Sequence, residues 1–192
     1  QISVDELLSN EKSEKKQSDY IYESRTEYDI DGKKNFDIKL GGAYAVDLKA
    51  YHGEKIEVAM FSNVYKNLLA DYKVKIDDIK NRIDIDLNRF NEASEADAKE
   101  SLVITIFIPV KYIGKIELSV NARTLNITDI ENEHIEVNGK ISEVTLQGNK
   151  SEIEIDSNLD MQISVLSHEG AIEINQLSAT SRLTIPADYR FR

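Results

Sequence analysis

The sequence predicts an all-β protein built as a β-solenoid, in which short strands stack coil upon coil. Four copies of one phrase recur at spacings of 19, 18 and 19 residues: Ile116-Glu117-Leu118-Ser119, Ile135-Glu136-Val137-Asn138, Ile153-Glu154-Ile155-Asp156 and Ile172-Glu173-Ile174-Asn175. A second series starts 9, 9, 10 and 11 residues after its partners: Leu125-Asn126-Ile127, Val144-Thr145-Leu146, Ile163-Ser164-Val165 and Leu183-Thr184-Ile185. A fixed period near twenty residues is typical of solenoids, because one repeat cannot bury its apolar side alone. One coil therefore holds two short strands in about 19 residues.

The composition is consistent with one elongated domain and excludes several functions. A chain of 192 residues leaves no room for two independent cores. Its net charge of −11 excludes a nucleic-acid partner, because such binding depends on clustered Lys and Arg. The absence of cysteine excludes disulfides, a thiolate zinc site and a cysteine nucleophile. No apolar run reaches the eighteen or so residues that cross a bilayer, so the sequence predicts no transmembrane segment. No cofactor is predicted either.

The chain divides into a polar beginning and a long alternating region. We predict that residues 1–19 form a tether or N-terminal cap and that residues 20–192 form the solenoid domain, with regular coils over 113–186. From Phe36 a similar phrase recurs every ten residues, at Val46 and Ile56. We interpret it as a degenerate copy of the repeat near the N-terminal end of the chain. Insertions are predicted near 62–72, as a helical turn or loop, and near 88–101, as a fully exposed segment.

The remaining apolar positions have predicted places in the coils. The run from Leu102 to Val110 suits a strand buried on both faces, because it is short, rich in β-branched residues and closed by proline. A third apolar position in each coil is predicted to fill a corner: Ala122, Ile141, Leu159 and Leu177. The phrase Ile108-Pro109-x-x-Tyr112 recurs at 185–189, which predicts an incomplete last coil and end-to-end self-association through its strand edges.

The stretch from Ile108 to Leu146 resembles the bacterial putative-adhesin family of single-stranded β-solenoid domains. The similarity covers roughly 36–189, and its main features are the apolar strand ending at Pro109, the strand-turn-strand cadence and Leu183-Thr184-Ile185-Pro186. The resemblance implies a right-handed, two-sheet β-helix exported to the cell envelope or cell surface. It implies no catalytic residue. The 88–101 insertion and the charged N-terminus depart from the family pattern.

The candidate functional residues are those predicted to point outward from the coils. Stacking of the repeated phrase would align four carboxylates at a spacing of about 4.8 Å. They are Glu117, Glu136, Glu154 and Glu173, beside an oxygen-rich row of Ser119, Asn138, Asp156 and Asn175. Such oxygens can hold Ca²⁺ or contact a cationic surface, and they can equally form a solvated face that discourages aggregation.

Other constellations point to alternatives. Neighbouring glutamates would suit a retaining glycosidase, whose two carboxyls lie about 5–5.5 Å apart, but residues 113–188 contain no aromatic residue to line a sugar site. His52, His134 and His168 occupy different phases of the repeat and predict no metal site. Asp29-Ile30-Asp31-Gly32 is interpreted as a turn. Five tyrosines near the N-terminal end, at 20, 22, 28, 44 and 51, are core or cap residues, or a partner surface.

The repeats predict the fold and the family resemblance implies the compartment, so the expectation is a non-enzymatic, extracytoplasmic interaction or scaffold domain with an unidentified protein or cell-surface partner. The alternatives are a carbohydrate-active enzyme of the cell envelope and a calcium-dependent binding module.

Overall fold

The computed structural model describes residues 20–91 and 93–187, and within them it shows an all-β protein with two short helices. The predicted tether at 1–19 lies outside the described residues. The strands are β1 Tyr22–Asp29, β2 Lys34–Tyr51, β3 Lys55–Ser62, β4 Tyr72–Ile79, β5 Arg82–Arg89, β6 Val103–Pro109, β7 Ile113–Thr128, β8 Glu131–Gln147, β9 Asn149–Asp156, β10 Met161–Val165, β11 His168–Glu169, β12 Ile172–Asn175 and β13 Ser181–Thr184. The helices are α1 Leu68–Asp71 and α2 Glu95–Ser101, with a 3₁₀ turn at Val110–Tyr112.

The strands form one mixed sheet with two arms, because β2, β7 and β8 are long enough to take part in both. The first arm has the order β4-β5-β2-β7-β8-β9-β12. The second arm has the order β1-β3-β6-β2-β7-β8-β10-β13. The coils that begin at Ile116 and Ile135 were each predicted to contain two strands. In the structure each of these coils is one continuous strand, β7 or β8, and two separate strands occur only in the later coils.

The register confirms the two predicted inward rows. On the first arm Ile116 pairs with Ile135, Ile135 with Ile153, and Ile153 with Ile172, all in parallel strands. On the second arm the parallel partners follow one another as Leu125, Val144, Ile163 and Leu183. The core is the space between these rows, because strand alternation directs every second side chain inward. Most of its members are fully buried, and the row residues at the C-terminal end are less so.

The N-terminal third is only partly a copy of the repeat. Phe36 and Val46 lie in β2 opposite Ile116 and Leu125, so they extend both inward rows by one coil as expected. The third member of the ten-residue cadence, Ile56, lies instead in β3, which runs antiparallel to β1 and β6. An alternating sequence fits parallel and antiparallel neighbours equally, so the cadence alone did not distinguish them. The predicted buried strand is β6, and its inward and outward side chains are almost all buried.

The two insertions contain the two helices. Helix α1 buries Leu68 and is followed directly by the buried Tyr72, so of the two alternatives predicted for this segment, a helical turn or a loop, the structure has the helical turn. The prediction that nothing near 88–101 is buried was wrong, because α2 packs on β2 and Ala98 is fully buried. A small side chain lets the helix approach the sheet closely, and the Ser94 hydroxyl caps its first turn by accepting from the Asp97 amide.

The predicted corner residues were right for the inner coils and wrong for the outer ones. Ala122 and Ile141 are buried neighbours in β7 and β8. Leu159 is 38% exposed and Leu177 is 89% exposed. Coils stack on both sides of the inner corners, whereas the later corners lie near the end of the described coils and have fewer neighbours to cover them.

Candidate functional site

The outward side of the first arm carries one continuous row of carboxylates, here called the acidic row. Its members pair in register across six strands, in the order Asp84, Asp37, Glu117, Glu136, Glu154 and Glu173. Adjacent strands lie about 4.8 Å apart, so the row extends across roughly 24 Å of sheet. The stacking of the four predicted glutamates is therefore observed. Two further aspartates continue it, which the sequence analysis missed.

The local sequence dictates this arrangement. Each carboxylate lies between two inward apolar residues, as Glu136 does between Ile135 and Val137, so alternation directs it outward. The same apolar-acid-apolar phrase surrounds Asp37 and Asp84, and this was the signal that could have found them. Glu117 and Glu173 are exposed, whereas Glu136 and Glu154 are half-buried by their neighbours in the sheet.

The charge of the acidic row is compensated at one end only. Asp84 accepts hydrogen bonds from Arg82 at 2.6 and 3.0 Å, and Asp37 accepts one from Lys39 at 2.8 Å. Among the described residues no lysine or arginine forms an ion pair with the four glutamates, and the His134 ring lies beside Glu154, with Nε2 3.9 Å from its carboxylate. The negative potential of this face is therefore concentrated over β7, β8, β9 and β12.

The predicted polar row lies beside the glutamates, and two of its amide side chains donate hydrogen bonds to them. In register, Ser119, Asn138, Asp156 and Asn175 follow one another across the same four strands. The Asn138 amide donates to Glu136 at 2.7 Å, and the Asn175 amide donates to Glu154 at 2.8 Å. These bonds fix two carboxylates on the surface. An open groove of about 670 Å³ borders the polar row and includes Asp156, Asn175 and the exposed Leu177.

The acidic row forms an open face, and its chemistry is that of a contact surface. Stacked carboxylates can attract cations or basic side chains, and they can raise the local concentration of a cationic partner. Within residues 20–91 and 93–187, no three His, Asp or Glu side chains are arranged to hold a metal ion. Neither helix in that part of the chain has the length and hydropathy needed to cross a membrane.

Neutralising one member of the row tests whether it binds cations. We expect Glu136→Gln to be neutral or to stabilise the fold by less than about 1 kcal/mol, because it removes repulsion from Glu117 and Glu154. For each of the two proteins we also expect the thermal unfolding curve with millimolar Ca²⁺ to superimpose on the curve of the same protein with chelator. A calcium-dependent rise of the melting temperature in the wild type alone would instead identify a cation site.

The three histidines occupy separate places, as predicted. His52 is exposed, His134 lies on the outward side of β8, and His168 lies in β11 opposite the buried Asn149. Neither ring nitrogen of His168 forms a hydrogen bond of normal geometry among the described residues, although the Ala171 backbone lies close to the ring. Burial lowers the pKa of His168, more than the Ala171 backbone and the Glu169 carboxylate raise it. The folded protein therefore favours the neutral ring.

The His168 ring should make stability depend on pH. Because its folded pKa is lowered, the unfolded chain binds the proton more readily, so stability falls as pH drops below the ordinary value of about 6.5 and levels off below the folded pKa. We expect the melting temperature of the wild type to fall between about pH 7.5 and 5 more steeply than that of His168→Gln. The control is His52→Gln at an exposed position, which should keep the wild-type slope. Equal slopes in all three proteins would contradict this role.

The N-terminal tyrosines are divided between two clusters. Tyr22 and Tyr28 pack against the main core, and the Tyr51 ring lies 5.5 Å from that of Phe107. Tyr20 and Tyr44 pack on a small second cluster formed by Ala59, Phe61 and Val103. The guanidinium of Arg123 lies 5.8 Å from the Tyr44 ring centre. The alternative of core residues is thus confirmed for the first pair. Asp29 is the last residue of β1, and Ile30, Asp31 and Gly32 lie in the connection between β1 and β2, where the turn was predicted.

Comparison with known proteins finds similarity in structure and none in sequence. No protein-family model matches the chain, and no curated protein matches its sequence. The fold is similar to the crystal structure of a putative cell adhesion protein from Clostridium sporogenes, with a TM-score of 0.56 and 8% identity over 86% of this chain and 99% of that one. Weaker similarity, with TM-scores of 0.30 and 0.31, relates it to putative adhesins from Parabacteroides merdae and Bacteroides fragilis, at 11% and 13% identity.

The clostridial structure bears on the fold alone, since the two sequences share so few residues. The superposition includes nearly all of that protein and most of this one, so the similarity extends beyond the regular coils to the N-terminal strands. The structures from Parabacteroides merdae and Bacteroides fragilis cover 85% and 86% of this chain. The chain therefore shares its overall fold with the clostridial protein.

Proposed function

We propose that this protein is a non-enzymatic interaction domain of the adhesin type that acts outside the cytoplasm, in the cell envelope or at the cell surface. The observation that carries the proposal is the similarity of fold to a protein described as a putative cell adhesion protein, across 99% of that chain. The acidic row is the proposed contact face. Its partner is a protein or a cell-surface component that presents cationic groups.

The charge distribution supports this choice of face. The four glutamates from Glu117 to Glu173 lack lysine or arginine ion pairs among the described residues, so their negative potential is available to a partner. The Asn138 and Asn175 amides hold two of them in place, which lowers the entropy lost on binding. A flat row of fixed carboxylates at regular spacing would match basic side chains presented at a similar repeat.

The carbohydrate-active alternative is less well supported by the same face. A glycosidase needs one carboxyl with a raised pKa inside a cleft, and it commonly stacks sugars on aromatic rings. The glutamates of the acidic row lie on the outside of a sheet, and residues 113–188 contain no Phe, Tyr or Trp. We therefore infer that adjacent carboxylates here serve binding, not hydrolysis.

A binding assay with a defined cationic probe tests the contact face. We expect the protein to bind immobilised poly-L-lysine and not poly-L-glutamate, with an affinity that falls as salt rises. Changing Glu117, Glu136, Glu154 and Glu173 together to Gln should weaken binding about tenfold or more. The matched control changes four exposed acids outside the row to Gln, namely Glu131, Glu133, Glu143 and Glu169, and alters net charge equally. Equal loss in both variants would contradict a specific face.

The proposed location has its own test. Intact cells of the source organism should be treated with a membrane-impermeant biotinylation reagent, which reacts with exposed lysines such as Lys140 and Lys150. We expect the protein to be labelled in intact or outer-envelope-permeabilised cells, with a cytoplasmic enzyme unlabelled as the control. Labelling that requires lysis of the cytoplasmic membrane would overturn the extracytoplasmic role.

We further propose that the coils wind as a right-handed, two-sheet β-solenoid of about 19 residues per turn, with residues 1–19 as a tether and 20–192 as one domain. The parallel register supports the period, because Ile116, Ile135, Ile153 and Ile172 are successive partners. Right-handed crossover is also the general preference for parallel strands. Limited proteolysis should trim the tether and leave one resistant fragment that begins near Tyr20. Early cleavage at several sites within 113–186 would contradict a single domain.

A further inference from the structure

The two ends of the sheet differ in how well they cover the core. At the C-terminal end the last coil consists of β12 and β13, and within the described residues β12 pairs only with β9 and β13 only with β10. The inward Leu183 of β13 is 41% exposed, and Ile172 and Ile174 of β12 are half-buried. In the part of the chain that the structure describes, the outer edge of this coil thus presents unpaired backbone groups together with apolar side chains.

The opposite end is closed. Its edge strands are β4 on the first arm and β1 on the second, and the core beneath them is covered by Leu68 and Tyr72, which are almost fully buried. Their outward side chains are charged and already paired, as in the contacts of Arg25 with Glu57 and of Lys75 with Asp77. Charged, compensated edges resist strand addition. A second copy of the chain would therefore meet the C-terminal end and not the N-terminal end.

The two edge strands at the open end have complementary charge. Glu173 points outward at the middle of β12, and Arg182 points outward near the middle of β13. Both side chains are exposed, and neither forms an ion pair with any described residue. If a β12 strand lies beside a β13 strand with Glu173 opposite Arg182, then Ile172, Ile174 and Leu183 all remain on the inward side, whichever way the strands run.

We propose that the C-terminal coil is a self-association surface, and that two copies of the chain form a two-fold dimer in which β12 of one copy pairs with β13 of the other. Two-fold symmetry creates this contact twice, so both open edges are used at once and the assembly closes as a dimer. Each contact adds backbone hydrogen bonds, one opposite-charge pair and apolar contact between the exposed core residues. The dimer does not depend on the proposed adhesive role.

Pairing each strand with its own copy is less favourable. A β12 strand beside another β12 would place Glu173 near its own copy, and a β13 strand beside another β13 would do the same with Arg182. Like charges across neighbouring strands are destabilising. The two arrangements therefore predict different responses to charge changes, and the distinction is measurable.

Sedimentation velocity of the full 192-residue chain, across roughly 1 µM to 1 mM, tests the dimer. We expect a concentration-dependent monomer–dimer equilibrium that weakens with salt. Glu173→Arg and Arg182→Glu should each raise the dissociation constant about tenfold or more, because symmetry places two repulsive pairs in each interface. Combining both changes in one chain should restore the wild-type value. Mixing the two single variants should also restore dimers, since every contact then joins opposite charges.

Several outcomes would overturn the proposal. They are a wild type that stays monomeric throughout, association that continues to larger species without closing, and a double variant that remains as weak as the single ones. Pairing of like strands would give this last result, because residue 173 then faces residue 173 and residue 182 faces residue 182, so the wild type and all three variants have like charges in every contact. Both substitutions are at exposed, outward positions, so the fold should be retained, and thermal unfolding of each variant serves as the check. Glu169→Arg, an exposed acid outside both strands, is the matched control and should dimerise as the wild type does.

Discussion

Replacing Ile135 with aspartate is expected to prevent folding of the whole domain. Ile135 is completely buried in β8, with Ile116 and Ile153 as its neighbours in the inward row. The change removes apolar contacts worth about 2–5 kcal/mol and places a carboxylate where no partner can satisfy it. Together these costs match or exceed the 5–15 kcal/mol that typically separates a folded domain from its unfolded chain. Circular dichroism should show loss of the β signal.

Two further variants test whether the loss of stability comes from placing a charge at a buried position. Ile135→Val keeps the position apolar and should lower the free energy of unfolding by only about 0.5–1.5 kcal/mol. Leu69→Asp makes the same kind of change at a position that is 72% exposed and in the first turn of α1, so it should be nearly neutral. If Ile135→Asp were folded with an unchanged melting temperature, the stacked inward rows would be wrong.

The repeat made the inward rows and the glutamate stacking predictable. Each copy of the phrase repeats both an apolar period of two and a coil period near nineteen, so each residue of the four phrases has one place in the sheet. Parallel pairing of identical phrases then aligns equivalent side chains. For this reason the order of Glu117, Glu136, Glu154 and Glu173 was predictable from the sequence.

The closure of the N-terminal end was not predictable in the same way. There β1, β3 and β4 are antiparallel to their neighbours, and β6 pairs with β2 from a position 58 residues further along the chain. No repeated phrase connects these segments, so their register depends on packing between distant residues. The compensation of Asp84 by Arg82 and of Asp37 by Lys39 is different, because each pair joins residues two apart on one strand face, which alternation alone places side by side.

The burial of corner side chains in the outer coils was also not predictable from the repeat. The pattern places Leu177 at the same phase as Ala122 and Ile141, and nothing within the phrase itself distinguishes an outer coil from an inner one. Burial depends on what stacks above and below, and a one-dimensional pattern contains that information only for interior repeats. The proposed self-association depends on the same exposure of the outer coil.

A substitution at Gly139 is expected to produce the largest effect of any change that adds a single methyl group. Gly139 lies in β8 opposite Val120, with a φ of +148°, and a Cβ atom built there would lie 1.8 Å from the Val120 carbonyl oxygen. Gly139→Ala should therefore combine backbone strain with a steric overlap and lower the free energy of unfolding by roughly 2–5 kcal/mol.

The matched control for Gly139→Ala is Gly32→Ala, in the turn between β1 and β2. No atom lies within 4 Å of a Cβ built at Gly32, so this change should alter stability by less than about 0.5 kcal/mol. Urea unfolding of both variants compares the two sites directly, since the added group is identical and only its surroundings differ. Gly170, whose Cβ would lie 1.9 Å from the Ser151 carbonyl oxygen, should behave as Gly139 does, but less severely. Its coil lies at the end of the described sheet, where the backbone can shift away from the overlap. Equal midpoints for Gly139→Ala and Gly32→Ala would mean that the close approach of β8 to β7 at this corner is incorrect.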